Sequence, residues 1–339
     1  MKKNNNVIQP NEISESTKVS MRTRIISAIC GIAVALPLIL LGDFFTAIVV
    51  AFVLVVGTWE IVHCAKKKYN PALYIVTLFL ASIMTYWPFI KELPKLILDG
   101  FANFHVYSFF DNVHVSVPVF VLGVFGCFFM TIIDKGFTIR DACFIFTMTL
   151  LLSLGLQSAL FIRYNPSLVY ATEHGSNSSY FNVYDNLQSA LLIIYVIIGT
   201  FMTDTGAYFI GVFFGKNKIN PRISPKKTWE GFFGGIFFSL VSSFGFASIF
   251  IFNKMPLIEG VLDANHWYHI LFISLLIPFV STLGDFVFSS VKRYYEIKDF
   301  GNILPGHGGA LDRIDSLIFS FLTSAVFINL FVYWSQYVN

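Results

Sequence analysis

Between Ser289 and Asp315 the chain reads S-S-V-K-R-Y-Y-E-I-K-D-F-G-N-I-L-P-G-H-G-G-A-L-D-R-I-D. Lys292, Arg293, Lys298 and Arg313 bring positive charge; Asp299, Asp312 and Asp315 bring carboxylates. Gly306, Gly308 and Gly309 leave the backbone bare around His307. Cations that meet phosphate oxygens, beside carboxylates that meet a metal or its water, suit a magnesium-bound polyphosphate. Pro305 breaks the chain, and a helix is expected to start near Leu311, its first amides favouring an anion. Asp312 and Asp315 then share one helix face, within reach of a common cation, while Arg313 points elsewhere. Carboxylates at a helix start are also ordinary dipole partners, so their company carries the functional argument. His307 is equally a backbone-packing residue or a ligand or proton-transfer group.

A second basic segment, N-K-I-N-P-R-I-S-P-K-K-T-W-E-G, begins at Asn217. Pro221 and Pro225 keep it extended or turned. Ser224, Lys226, Lys227 and Thr228 offer hydroxyls and cations to phosphate oxygens. Thr228 alternatively caps a helix starting near Trp229, and the lysines alternatively anchor topology. Two acids, Asp204 and Asp285, lie inside apolar runs, where an ionisable residue is expensive and marks function by default. On a continuous helix, Asp285, Ser289, Lys292 and Glu296 make one polar stripe. Tyr208 follows Asp204 by one turn, as hydrogen-bond partner or interface residue. Glu60 and His63 read as snorkelling boundary residues in preference to a wall of the same cavity.

The elements that position these residues are membrane helices. The chain has 339 residues, 55% hydrophobic and 13% charged, with mean hydropathy +0.69. Soluble domains carry about 25% charged residues. Apolar runs long enough to span hydrocarbon recur at 25–41, 44–65, 72–90, 114–133, 141–162, 189–212, 231–252, 269–289 and 313–334. The expected fold class is therefore an all-α polytopic integral membrane protein of about nine spans. Its parts are a polar N-terminal segment at 1–22, spans one to five at 23–188, and a catalytic region at 189–339 with loops at 213–230 and 290–312. The N-terminal segment has no cleavable-signal pattern. Cys30, Cys64, Cys127 and Cys143 have no metal-ligand spacing and read as apolar packing residues.

Charge sets the orientation. With connections assigned to alternate sides, one side receives only Lys91, Lys95, Arg163 and Lys254 of the 23 Lys and Arg residues. Positive loops stay inside, which puts the N-terminus and both chemically rich loops in the cytoplasm and the C-terminus outside. Lys66–Lys68 is read as a topology anchor, with anionic-lipid binding the weaker alternative.

Ser289-x-Val291-Lys292-Arg293, then Lys298-Asp299-x-Gly301, then Leu304-Pro305-x-His307-Gly308-Gly309-Ala310-x-Asp312-Arg313-Ile314-Asp315 resembles the signature of the phosphatidate cytidylyltransferase (CDP-diacylglycerol synthase) family. D-T-G-A-Y at Asp204–Tyr208 and S-P-K-K-T-W-E-G at Ser224–Gly231 are similar to that family's second block. The resemblance covers roughly 200–315. It implies a homodimeric membrane enzyme that joins CTP to phosphatidic acid and releases pyrophosphate; separately, the short loops and compact length suit a bacterial plasma membrane better than an organelle. It also implies Mg²⁺ with a second, monovalent cation such as K⁺. On this pattern Asp285, Asp312 and Asp315 are the metal-site carboxylates; Asp204, as a buried acid, is read as a further metal ligand. Lys226/Lys227 and Lys292/Arg293 meet phosphates, with Ser224, Thr228, Ser289, Lys298, Gly308 and Gly309 beside them; Arg313 and His307 complete the catalytic set.

Two rival readings remain at this level. A CTP-dependent polyprenol or phytol kinase also brings a nucleotide together with a membrane lipid. An ion-coupled transporter also buries acids in a bundle, although here the unusual residues fall on one face and no internal repeat is visible.

Overall fold

The computed structural model describes residues 31, 33–99, 117–164, 183–303 and 308–338. Hydrocarbon offers no partner to a backbone amide, so each apolar run closes its own hydrogen bonds as a helix. After a helical stretch at 33–41 come α1 (Asp43–His63), α2 (Pro71–Asp99), α3 (Val117–Ile133), α4 (Ile139–Tyr164) and α5 (Val183–Phe214). A hairpin of β1 (Lys218–Asn220) and β2 (Ser224–Thr228) leads to α6 (Trp229–Phe252), α7 (Trp267–Tyr294) and α8 (Leu311–Val338). Among the described residues, seven helices (α1, α2 and α4 to α8) are long and apolar enough to cross a membrane, and α3 is a shorter apolar helix of 17 residues. Of the about nine spans expected, the described residues show seven helices of full length; α3 and the stretch at 33–41 fall at two of the other expected runs, and part of the latter run lies outside the described residues.

The helix α4 is the hub, packed against α1, α2, α3, α5 and α8. Its hydroxyls and those of its neighbours answer carbonyls of their own helix: Ser158 Oγ to Leu154 at 2.7 Å, Thr58 Oγ1 to Leu54 at 2.7 Å, Thr77 Oγ1 to Leu73 at 2.6 Å. Others tie helices together. Gln157 Nε2 donates to the Met84 carbonyl at 3.0 Å, and Tyr195 joins Ser274 at 2.7 Å.

The α5–α6 pair is held by small residues, as membrane helices without a hydrophobic drive require. A Cβ on Gly234 would lie 2.5 Å from Ile210 Cβ, and one on Gly235 2.8 Å from the Thr203 carbonyl. At Gly284 a Cβ would lie 2.8 Å from the Asp315 carbonyl. That glycine lets α7 and α8 approach one residue away from Asp285.

One end of the bundle is laced by polar contacts. Lys67 pairs with Asp141 at 2.7 Å, Asn70 N donates to Asp134 at 2.9 Å, and Lys66 Nζ donates to the Glu296 carbonyl at 3.3 Å. Arg140 donates to the Tyr294 hydroxyl at 3.2 Å and Arg293 Nε to the Ile223 carbonyl at 3.3 Å. The connections α1–α2, α3–α4, α5–α6 and α7–α8 therefore share this end. At the opposite end the fully buried Arg163 donates to the Ile39 carbonyl at 2.9 Å.

Candidate active site

The segment expected to be extended or turned is a two-stranded antiparallel hairpin. Lys218 pairs with Thr228 and Asn220 with Ser224, so Ile219 faces the three residues Pro225–Lys227. This bulge takes the two lysines out of regular pairing and re-aims them. Lys226 stays exposed. Lys227 Nζ meets Asp285 Oδ2 at 2.5 Å and lies 4.7 Å from the Phe286 ring centroid. Ser224 is half-buried at the head of β2.

Thr228 is a cap rather than an available phosphate ligand. Its hydroxyl accepts from Gly231 N at 3.2 Å and is buried, which starts α6 where the sequence places it. Glu230 closes the hairpin by accepting from the amides of Lys216 at 3.1 Å and Asn217 at 3.2 Å.

The helix α7 continues beyond the predicted span to Tyr294, so Asp285, Ser289 and Lys292 do share a stripe. Ser289 Oγ donates to Asp285 Oδ1 at 3.1 Å. Glu296 does not extend the stripe: the helix has ended and Glu296 sits at φ 52, a left-handed conformation that turns the chain away.

Lys292 Nζ donates to Asp312 Oδ1 at 2.9 Å and lies 4.0 Å from Asp315 Oδ2. A cation therefore does stand between the two i, i+3 aspartates, and it is an ammonium. Asp312 Oδ2 also accepts from Phe300 N at 2.8 Å and Gly309 N at 3.0 Å. With three protein donors, Asp312 organises the loop. Asp315 Oδ1 accepts from Ser316 N at 2.8 Å. Arg313 is exposed, and so are Lys298 and Asp299. Gly308, at φ +83, needs its glycine, and a Cβ there would lie 3.2 Å from Asp299 Cβ. His307, a candidate ligand or proton-transfer group in the sequence, lies outside the described residues.

The anion expected at the start of α8 is supplied by the protein. Glu60, 2% exposed, accepts from Ala310 N at 2.9 Å and Leu311 N at 2.8 Å. Its boundary reading is overturned: it is buried and pinned under the loop. His63 is the exposed one of the two, stacked on Trp59 at 3.7 Å. Nothing in the local sequence links Glu60 to a loop 250 residues away.

Asp204 lies on α5, about 15 Å from its Phe214 end at 1.5 Å per residue. Its carboxylate feels the charges of Asp285 and Lys227, and Asp315 feels those of Asp285, Lys292 and Asp204. Tyr208 is 66% exposed with its ring against Phe209. The acids of α5, α7 and α8 thus share one electrostatic neighbourhood with the hairpin and α7 lysines. A cleft of about 640 Å³ beside Lys67, Arg140, Asp141, Tyr294 and Tyr295 contains none of these acids and is a separate feature.

Among the described residues no three His, Cys, Asp or Glu side chains are gathered as a metal cage. The donor chemistry still fits Mg²⁺, which is held through one or two carboxylates plus substrate phosphates and water rather than by an all-protein cage. Asp204 has no salt-bridge partner among the described residues, and Asp285 and Asp315 each keep an oxygen facing only an ammonium.

Helices that cross a membrane, with acids and lysines converging where they meet one end of the bundle, define a polytopic membrane protein built to handle a charged ligand. Its sequence matches the cytidylyltransferase family over residues 22–331, and the chain belongs to that family. It is similar to the phosphatidate cytidylyltransferase of Bacillus subtilis (strain 168), 33% identical over 307 residues that cover 89% of this chain and 95% of that protein. The Haemophilus influenzae enzyme of the same name is 32% identical over 298 residues, 88% of this chain and 94% of that protein. A Staphylococcus aureus (strain COL) relative is 43% identical over 127 residues, covering 38% of this chain and 45% of its own. The protein is a membrane transferase.

Proposed function

We propose that this protein condenses CTP with phosphatidic acid to give CDP-diacylglycerol and pyrophosphate. The observation that carries the reading is the convergence of Lys227–Asp285 and Lys292–Asp312 with Asp204 and Asp315 at one end of the bundle. The names of the full-length relatives supply the substrate class.

In this reading a phosphate oxygen of phosphatidate attacks the α-phosphorus of CTP. The new P–O bond forms as the bond from the α-phosphorus to the bridging oxygen breaks, and pyrophosphate leaves with that electron pair. Both reactants are anions, so charge neutralisation and alignment dominate, as in phosphoryl transfer generally. Phosphatidate is already ionised at neutral pH, and no strong base is required.

Lys226 and Lys227 take phosphate oxygens of the nucleotide. The Lys227–Asp285 pair is only partly buried, 24% and 28% exposed, and can exchange partners when an anion arrives. Lys292 is 14% exposed and Asp312 3%, so that pair holds the loop in place. Bound Mg²⁺ supplies Lewis-acid neutralisation of the triphosphate, and Asp204, Asp285 and Asp315 are the residues that would hold it. A monovalent cation such as K⁺ accompanies it in this proposal.

The orientation belongs to the same proposal: about nine spans in a bacterial plasma membrane, N-terminus and site in the cytoplasm, C-terminus outside, in a homodimer. CTP then arrives from the cytoplasm and the lipid enters sideways with its tails in hydrocarbon. The test is pyrophosphate release by purified protein. Release that needs CTP, Mg²⁺ and phosphatidic acid together supports the reading; release indifferent to phosphatidic acid contradicts it.

A further inference from the structure

We infer that Glu60 is a positioning residue for the transfer reaction: it clamps the first turn of α8 so that Asp312 and Asp315 face Lys292 and Asp285. This inference rests on the function proposed above and adds a residue from the N-terminal half of the chain, outside the 200–315 region that carries the signature.

The first amides of a helix have no partner within it and must be answered from elsewhere. Here three consecutive amides are answered by two carboxylates. Gly309 N donates to Asp312 Oδ2 at 3.0 Å, while Ala310 N and Leu311 N each donate to a different oxygen of Glu60, at 2.9 and 2.8 Å. Only a group with two acceptor oxygens in one plane takes two neighbouring N–H groups this way. A negative charge at a helix start is also favoured by the aligned peptide dipoles.

The loop is shaped around that carboxylate. A Cβ on Gly309 or on Gly301 would fall on the Glu60 carboxyl group. Below it, α1 and α8 touch directly: a Cβ on Gly57 would lie 3.3 Å from Leu311 Cδ2, and Leu311 is fully buried. Glu60 therefore fixes both the height and the rotation of the α8 start relative to the bundle. Asp312 lies in this first turn and Asp315 one turn on, and the Lys292 ammonium meets them at 2.9 and 4.0 Å. A small rotation of the α8 start separates both acids from Lys292 and moves Asp315 relative to Asp285.

The experiment uses the full-length protein in lipid with two changes that attack the contact from opposite sides. Glu60→Gln keeps the shape but presents an NH₂ donor to one of the two amides. Gly301→Ala pushes a methyl onto the carboxylate and leaves its charge intact. Both are expected to lower kcat about 10²-fold, the scale of a misplaced reacting group, with KM for phosphatidate changed less than about twofold. In both, the Ala310 and Leu311 amides are expected to exchange hydrogen at least about tenfold faster, a readout independent of turnover. Glu60→Asp, which restores two acceptor oxygens, is expected to recover part of kcat. Unchanged kcat per folded protein in both variants, even with a lower melting midpoint, overturns the positioning role. So does unchanged exchange of the two amides. If wild type exchanges slowly and the variants fast, but wild type transfers no cytidylyl group, the parent reading fails and Glu60 is a structural clamp only.

Discussion

The ammonium of Lys227, on the second hairpin strand, meets the carboxylate of Asp285, inside a membrane-crossing helix, at 2.5 Å. Ser289 Oγ supports the same carboxylate at 3.1 Å from one turn on. This pair joins the two basic elements of the sequence into one place. It also gives each of the two charges a resting partner, so neither is left bare.

Breaking it has separable consequences. Asp285→Asn is expected to cut cytidylyl transfer by at least about 10²-fold, with membrane insertion intact. Lys226 and Lys227 changed together to Met are expected to raise KM for CTP about tenfold, the worth of one charge-assisted hydrogen bond. Steady-state kinetics of both, and of all three changes combined, check this: effects that multiply without coupling argue against a shared site.

Gly284 is expected to be intolerant. In Gly284→Ala the new methyl meets the Asp315 carbonyl and the Phe319 ring, each at 2.8 Å, and overpacking of this kind costs about 1–3 kcal/mol. Gly245 has nothing within 4 Å of its Cβ position, so Gly245→Ala is expected to be neutral or slightly stabilising. Melting midpoints in detergent distinguish the two; equal midpoints contradict the close α7–α8 approach.

Thr228 separates capping from ligand binding. Thr228→Ala is expected to lose about 1 kcal/mol of stability, and Thr228→Ser to restore it, because the serine hydroxyl also accepts from Gly231 N. A raised KM for CTP at unchanged stability shows instead that the hydroxyl serves the nucleotide.

The helices were legible from composition and periodicity, because every long apolar run must close its own hydrogen bonds in hydrocarbon. The acids were legible because Asp204 and Asp285 interrupt such runs. Glu60 was not. It sits at the end of α1, where an acid usually faces water, and its partners are backbone amides, which leave no residue type to recognise. The cap at Thr228 was legible as one of two readings, but the commitment of Lys292 to two aspartates was not, since a lysine near a phosphate motif and a lysine holding a loop look alike in sequence. The end of α7 was misjudged for a local reason: Glu296 adopts a left-handed φ that no neighbouring glycine or proline announces.

Cys64 gives a pH-dependent check on the packing at the end of α1. Burial, with the negative charge of Asp141 second, pushes its thiol up from 9.0 to about 12. It is expected to resist maleimide through pH 9 in the folded protein and to react once denatured. The same shift means that the native state, which keeps the proton, loses stability as pH rises from about 9 toward 12. Rapid labelling of Cys64 at pH 8 without unfolding contradicts this packing.

In the proposed reaction, lysines and aspartates at one end of this bundle align phosphatidate with the α-phosphorus of CTP. The most direct measurement supplies CTP labelled separately in the cytidine ring and in the γ-phosphate to purified protein with phosphatidic acid and Mg²⁺. Cytidine label in the lipid, with γ label released as pyrophosphate, is the predicted result. Label from the γ-phosphate in the lipid, with cytidine left in solution as CDP, is the contrary one.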